Sequence, residues 1–313
     1  MTTAYIPLAE RNIWSDVRPI PQDDGPNPLV AIMYAEEYRD AMDYFRAMAA
    51  AGEESERVLE LTETIIRQNP AHYTVWAYRF KTLLALGKDL GEELELMNEF
   101  ARVNLKSYQV WHHRLLLMTH ISPSDPRSEI DYIHDALIPD PKNYHTWAYL
   151  HWLYSHFADR ISETQWHDEE AWCTEMLRVD GRNNSAWGWR WFLRVARPGA
   201  QIDGEVEYAI QSIHRIPHNV SAWNYLRGLL RHLNQKFTPL LPSLKVYAGQ
   251  ASDKRVAADT PLPVSHAIEF LADALIEQGE TGKAAELFKD LGTKHDRIRA
   301  AYWDWRRSSS LSL

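Results

Sequence analysis

A tryptophan recurs along this chain at a nearly fixed interval, and that interval restricts the possible folds more than any other feature. The stretches "PAHYTVWAYR" (70–79), "LKSYQVWHHR" (105–114), "PKNYHTWAYL" (141–150), "GRNNSAWGWR" (181–190) and "PHNVSAWNYL" (217–226) align without gaps. Their shared tryptophans are Trp76, Trp111, Trp147, Trp187 and Trp223, spaced 35, 36, 40 and 36 residues apart. A period of this size marks a repeat architecture, in which each unit buries its apolar face against the next.

Each unit is predicted to be helix, turn, helix. Ser107, Asn143, Asn183 and Asn219 occupy one equivalent position and suit an N-cap, with His72 the weak member. The companion stretches are amphipathic at helical spacing. Val58, Leu61, Thr62 and Ile65 fall at i, i+3, i+4 and i+7, and so do Val206, Ala209, Ile210 and Ile213. Asn69-Pro70 and Asp140-Pro141 end these helices, because a residue before proline avoids the helical region. No strand pattern competes. The expected fold is all-α, a right-handed superhelical crescent (an α-solenoid) of stacked, tetratricopeptide-like helical hairpins. In it the repeated tryptophan packs between layers.

Four segments are expected. Residues 1–35 form an extended, proline-rich arm containing "DVRPIPQDDGPNP". Residues 36–233 hold the helical-hairpin repeats. Residues 234–263, with four prolines, break the period as an irregular excursion over the surface. Residues 264–313 return to a helical pair and a closing helix around Tyr302–Arg307.

The residue before each N-cap runs Ala71, Lys106, Lys142, Arg182 and His218. A cation beside a helix N-terminus is electrostatically unwelcome, so its recurrence needs a reason. Stacked hairpins would line these side chains along one edge, with the free N–H groups of the helix starts. Cations and helix N-termini together make a site for phosphate or carboxylate; solvated turn residues are the plainer alternative.

The rest of the sequence limits the chemistry. Net charge is −9, so the chain as a whole repels nucleic acid and any basic patch is local. No stretch approaches ~18 uninterrupted apolar residues, so no membrane span is expected, and the N-terminus lacks a basic-then-apolar leader. The lone Cys173 rules out an internal disulfide and, beside Trp172, reads as buried packing. A cytoplasmic home follows. His112 and His113 face different ways, and His151 and His156 lie five apart, so no metal site of this chain is expected. Nucleotide-loop and nucleophile-elbow motifs are missing. The residues alone therefore allow a scaffold that is half of an enzyme, or a helical-repeat adaptor that only binds peptides.

The Trp segments, with "NYHTW", "NNSAW" and "HNVSAWNYL", resemble the repeat of protein prenyltransferase alpha subunits. The run "WSDVRPIPQDDGPNPLVAIMY", Trp14 to Tyr34, resembles the arm of the alpha subunit shared by protein farnesyltransferase and type I geranylgeranyltransferase, and "YTVWAYR" and "SYQVWHHR" fit the same subunit. The likeness covers most of residues 10–230. The type II, Rab-directed alpha subunit has similar repeats, but this arm is not expected there. The resemblance implies a crescent wrapped around a beta subunit that holds the catalytic Zn²⁺ and most of the isoprenoid pocket, with Mg²⁺ accompanying the diphosphate. It implies transfer of farnesyl or geranylgeranyl from its diphosphate to the cysteine of a C-terminal CaaX sequence. By the same resemblance Lys142 and Tyr144 meet the diphosphate and Gln109 meets the peptide carboxylate. Asn183 and Trp187, with Asn143 and His145, support activity, and the chain alone is inactive. One departure stands out: where the family has Trp-x-x-Arg after "KNYH", this chain has Leu150, and the fifth repeat has Leu226. An arginine bracing the lysine loop would then be missing.

Overall fold

A computed structural model describes residues 5–249 and 261–312. Among the described residues the regular structure is entirely helical. The chain divides into two compact units, residues 1–161 and 162–313.

In the first unit the arm makes two short helical turns, Leu8–Glu10 and Asn12–Trp14. Leu8 and Trp14 are buried, so the arm's start is part of the core rather than a free tether. The Trp14 ring meets Tyr44 edge-on at 5.3 Å, and Arg57 covers it while bridging to Asp16. Seven helices follow: α1 (Glu36–Ala51), α2 (Glu56–Gln68), α3 (Tyr73–Ala85), α4 (Leu90–Val103), α5 (Tyr108–Ile121), α6 (Arg127–Ala136) and α7 (Tyr144–His156). The second unit holds α8 (Glu163–Val179), α9 (Asn184–Trp191), α10 (Glu205–Arg215), α11 (Val220–His232), the single turn α12 (Leu241–Leu244), α13 (Ser265–Glu277), α14 (Thr281–Asp290) and α15 (Ala300–Leu311).

The N-caps behave as the sequence predicts. Ser107, Asn143, Asn183 and Asn219 each accept from backbone N–H groups of the first helical turn, and His72 does not. Helix α2 ends one residue before Asn69, as expected. Helix α6 stops earlier, at Ala136, where Leu137 and Ile138 tighten the chain with bonds to His134 and Asp135. The stretch after α11 is in part helical. Thr238–Ala248 is a series of short helical turns, with Leu244, Val246 and Tyr247 buried and Phe237 buried just before them. Residues 250–260 of the expected excursion lie outside the described residues.

Each unit is cross-linked by buried ions that repeat with the tryptophans. Arg79 on α3 forms a two-pronged bond with Glu93 on α4, and His113 on α5 meets the same carboxylate at 2.9 Å. Arg114 on α5 pairs likewise with Glu129 on α6, which also accepts from Tyr149 on α7. In the second unit Arg190 on α9 pairs with Glu205 on α10, which accepts from Tyr225 on α11. One carboxylate thus joins two successive Trp helices through the helix between them. These are the Trp-x-x-Arg arginines, and they reach into the core, not to the basic turns. Leu150 and Leu226 at the equivalent positions are fully buried apolar residues. In the fifth repeat the charge moves one residue on. Arg227 pairs with Glu269 and Asp273 on α13, and Arg306 on α15 meets both carboxylates.

His113 is the exception among these carboxylate partners, because it titrates. Burial pushes its imidazole below the ordinary range, outweighing the pull of Glu93, and Arg79 and His112 push the same way. Its Nδ1 is buried without a partner, consistent with a neutral ring donating through Nε2. The unfolded chain takes up a proton there below about pH 6.5, so stability is complete above that value and falls as pH drops through it. His113→Tyr, which copies Tyr149 and Tyr225, should flatten that fall. Urea midpoints measured between pH 7.5 and 5.5 check this by the difference between the two proteins, since His72, His145 and His266, whose pKa values burial also lowers, remain in both. Parallel curves would refute it.

Candidate functional site

The basic residues sit at the third position of a recurring four-residue turn. The turns 69–72, 104–107, 140–143, 180–183 and 216–219 each close with a bond from the N-cap N–H to the first carbonyl, at 2.9–3.2 Å. The tryptophan six residues further on fixes the second carbonyl. Trp76, Trp111, Trp147, Trp187 and Trp223 donate their indole N–H to the carbonyls of Pro70, Leu105, Pro141, Gly181 and Pro217, at 2.8–2.9 Å. All five rings are buried. The tryptophan is therefore a packing residue that also sets the peptide just before the cation, and the Lys142 turn is braced by Trp147 rather than by an arginine at 150.

In the first unit two such turns carry candidate residues. Lys106 and Lys142 are exposed, and Gln109 is half-buried. The first residue of each following helix is an outward tyrosine: Tyr73, Tyr108 and Tyr144 are 74%, 68% and 71% exposed. His145 joins the two turns, its ring standing edge-on to Tyr108 at 4.2 Å and beside Tyr144 at 5.5 Å. Burial lowers the His145 pKa, so the ring is neutral near pH 7. Lys106, Tyr108 and Gln109 line one open concavity of about 690 Å³ with Pro70, Arg102 and Asp140. Lys142 and Tyr144 stand one hairpin on. The concavity is thus lined by Gln109 and Lys106 and not by Lys142. Tyr73 and Tyr108 form a series with Tyr144, and its signal in the sequence is an aromatic three residues before each of these tryptophans.

In the second unit the equivalent residues play other parts. Asn183 and Trp187 are buried and cannot touch a ligand directly; they cap α9 and hold the Gly181 carbonyl beneath the exposed Arg182. His218 is engaged, with Nε2 at 2.8 Å from the Pro261 carbonyl. Cys173 is buried against the Ala186 carbonyl, and desolvation pushes its thiol well up, which disfavours the thiolate. Among the described residues no group of three or more His, Cys, Asp or Glu side chains is placed to hold a metal ion, and no helix is long and apolar enough to cross a membrane.

The sequence pattern described as "Protein prenyltransferase alpha subunit repeat" matches residues 55–86, 90–121, 126–157 and 202–233. These are the hairpins α2–α3, α4–α5, α6–α7 and α10–α11. A protein farnesyltransferase/geranylgeranyltransferase type-1 subunit alpha of Dictyostelium discoideum is 34% identical over 96% of this chain and 94% of its own length. The chain belongs to the protein prenyltransferase alpha subunit family. A solved chain of Candida albicans protein geranylgeranyltransferase-I, complexed with GGPP, superposes with a TM-score of 0.83 at 30% identity, covering 96% of this chain and 99% of that one. A geranylgeranyl transferase type-2 subunit alpha of Rattus norvegicus is 28% identical over 63% of this chain and only 29% of its own length. Hairpin α8–α9 lies outside the matched residues, yet it keeps the Asn183 cap, the Trp187 bond and the Arg190 pair of the family repeat.

Proposed function

We propose that this chain is the alpha subunit of a heterodimeric, cytoplasmic protein prenyltransferase of the farnesyltransferase and type I geranylgeranyltransferase kind. The enzyme transfers the isoprenoid from its diphosphate to the cysteine of a C-terminal CaaX sequence. The observation that carries the reading is the grouping of Lys106, Tyr108 and Gln109 about one concavity, in a chain similar to such subunits along nearly its whole length.

The reaction forms a bond between the cysteine sulfur and C1 of the isoprenoid. The C1–O bond breaks, and its electron pair stays on the bridging oxygen of the departing diphosphate. The negative charge there grows most in the transition state, so fixed cations and phenol O–H groups near it lower the barrier. Lys106 and Lys142, with Tyr108 and Tyr144, supply those groups. The Gln109 amide donates to the peptide's terminal carboxylate. Zn²⁺, which lowers the thiol's pKa when bound, is assigned to the beta subunit, and Mg²⁺ accompanies the diphosphate.

Co-expression with a type I beta subunit tests this. The purified pair should prenylate a CaaX peptide, and this chain alone should not. Gln109→Ala should raise the peptide KM about 5- to 30-fold with little change in kcat, because one neutral hydrogen bond worth ~1–2 kcal/mol serves ground and transition states alike. A chain that binds CaaX peptides without a partner and never supports transfer would instead be a peptide-binding adaptor. A chain that pairs only with a Rab-directed beta subunit would be a type II subunit.

A further inference from the structure

We infer that Asn143 is a positioning residue that locks the Lys106 turn to the Lys142 turn through one shared carbonyl. This rests on the reading above, in which both lysines serve one diphosphate.

The Leu105 carbonyl belongs to the peptide that leads into Lys106. It accepts two bonds, from the Trp111 indole of its own hairpin at 2.8 Å and from the Asn143 amide of the next at 3.1 Å. Asn143 is buried and fully used. Its Oδ1 accepts from the His145 and Thr146 N–H groups, and its Nδ2 donates to Leu105 and to Asp140 Oδ2. Those contacts also settle which way the amide points.

Capping α7 needs only the oxygen, and Ser or Asp would serve as well. The NH₂ half does a second job, pinning the neighbouring lysine's peptide to the start of α7. The same device recurs. Ser107 reaches the Pro70 carbonyl at 3.3 Å beside Trp76, and Asn219 reaches the Gly181 carbonyl at 2.5 Å beside Trp187. A ladder of shared carbonyls therefore runs between turns within each unit. Where two cations must meet one small anion, the spacing between their turns decides how well the charge is met, and a displacement of about 1 Å costs up to ~100-fold.

Asn143→Asp keeps the cap, removes both donations and sets a carboxylate against Leu105 O and Asp140. Asn143→Ser keeps the cap and offers a hydroxyl where Ser107 shows that a hydroxyl can bridge. Hydrogen exchange on the full-length chain is the first measurement. In Asn143→Asp the amide of Ser107, bonded to the Asn104 carbonyl, should exchange about 10-fold faster, while that of His72 in the preceding turn is unchanged. Asn219→Asp should act on the Asn183 amide and not on Ser107. In the assembled heterodimer Asn143→Asp should lower kcat by about 10- to 100-fold, and Asn143→Ser should recover most of it. An inactive wild-type heterodimer would overturn the proposed function and leave the exchange result standing. An active wild type with unchanged Ser107 exchange, with uniform loss of protection in both Asn143 variants, or with wild-type kcat in Asn143→Asp overturns the coupling.

Discussion

Arg114→Leu should destabilise the first unit by about 3–5 kcal/mol, a large share of the 5–15 kcal/mol that holds a typical domain folded. Leucine fits the space, since the chain places one at the equivalent positions 150 and 226, both fully buried. What it cannot do is answer Glu129. That carboxylate is 3% exposed and takes two bonds from Arg114 and one from Tyr149. The guanidinium also bonds Asn98 and covers the Tyr132 ring at 3.7 Å. Without it Glu129 is left in the core with a single phenol donor, Tyr149. Removing the carboxylate as well should restore about half of the loss, because a buried ion pair replaced whole by apolar groups is itself nearly neutral. The remainder, about 1–3 kcal/mol, is the Tyr149 hydroxyl left unmet. Urea titrations of wild type, Arg114→Leu and Arg114→Leu/Glu129→Leu, followed by tryptophan fluorescence at one protein concentration, measure all three. A single-variant loss below ~1 kcal/mol would mean that water or another donor reaches Glu129.

That network was hidden from the sequence, whereas the hairpins were not. Trp76 through Trp223 recur in one register, and each has an N-cap four residues before it, so both the period and the helix starts are local signals. The partners of the Trp-x-x-Arg arginines are not local. Glu93 lies 14 residues beyond Arg79, across a turn, and receives His113 from 20 residues further on. Spacing along two helices does not say which faces meet, and so a family arginine missing at 150 looked like a missing brace for Lys142. The brace is the Trp147 indole. The move from Leu226 to Arg227 was equally hidden. One residue turns a helix by about 100°, and the new partners, Glu269 and Asp273, lie on α13, outside the repeats. Prolines made residues 234–249 look irregular, yet Phe237 and Tyr247 anchor short turns there. That basic residues fill the third position of four of the recurring turns was legible. Which of them share a concavity was not, because the space beside Lys106 and Gln109 is also lined by Pro70 and Asp140, from the turns before and after.

Removing both ammonium groups, in Lys106→Ala/Lys142→Ala, should slow the chemical step of the assembled heterodimer by about 10²–10³-fold or more, while isoprenoid diphosphate still binds. The ground-state diphosphate carries most of its charge on terminal oxygens, which other groups can hold. The charge released by C–O cleavage appears on the bridging oxygen, so a fixed cation there acts mainly in the transition state and its loss shows in kcat. One preorganised donor of this kind is worth roughly 2.7–4 kcal/mol, and two that share an anion do not add. The single variants divide the effect. Resemblance to the family assigns the diphosphate to Lys142 and Tyr144. The concavity that Lys106 shares with Gln109 and Tyr108 points the other way: if it takes the diphosphate, Lys106→Ala should show the larger loss and Lys142→Ala the smaller. Lys106→Arg should rescue only in part, because a planar guanidinium does not fill the place of a compact ammonium. Single-turnover transfer with saturating peptide separates the rate from binding. If Lys142→Ala alone matches the double variant, the resemblance is the better guide and the concavity serves the peptide only. If the double variant changes diphosphate affinity and leaves the rate alone, the row of cations steers the substrate in and takes no part in the bond-breaking.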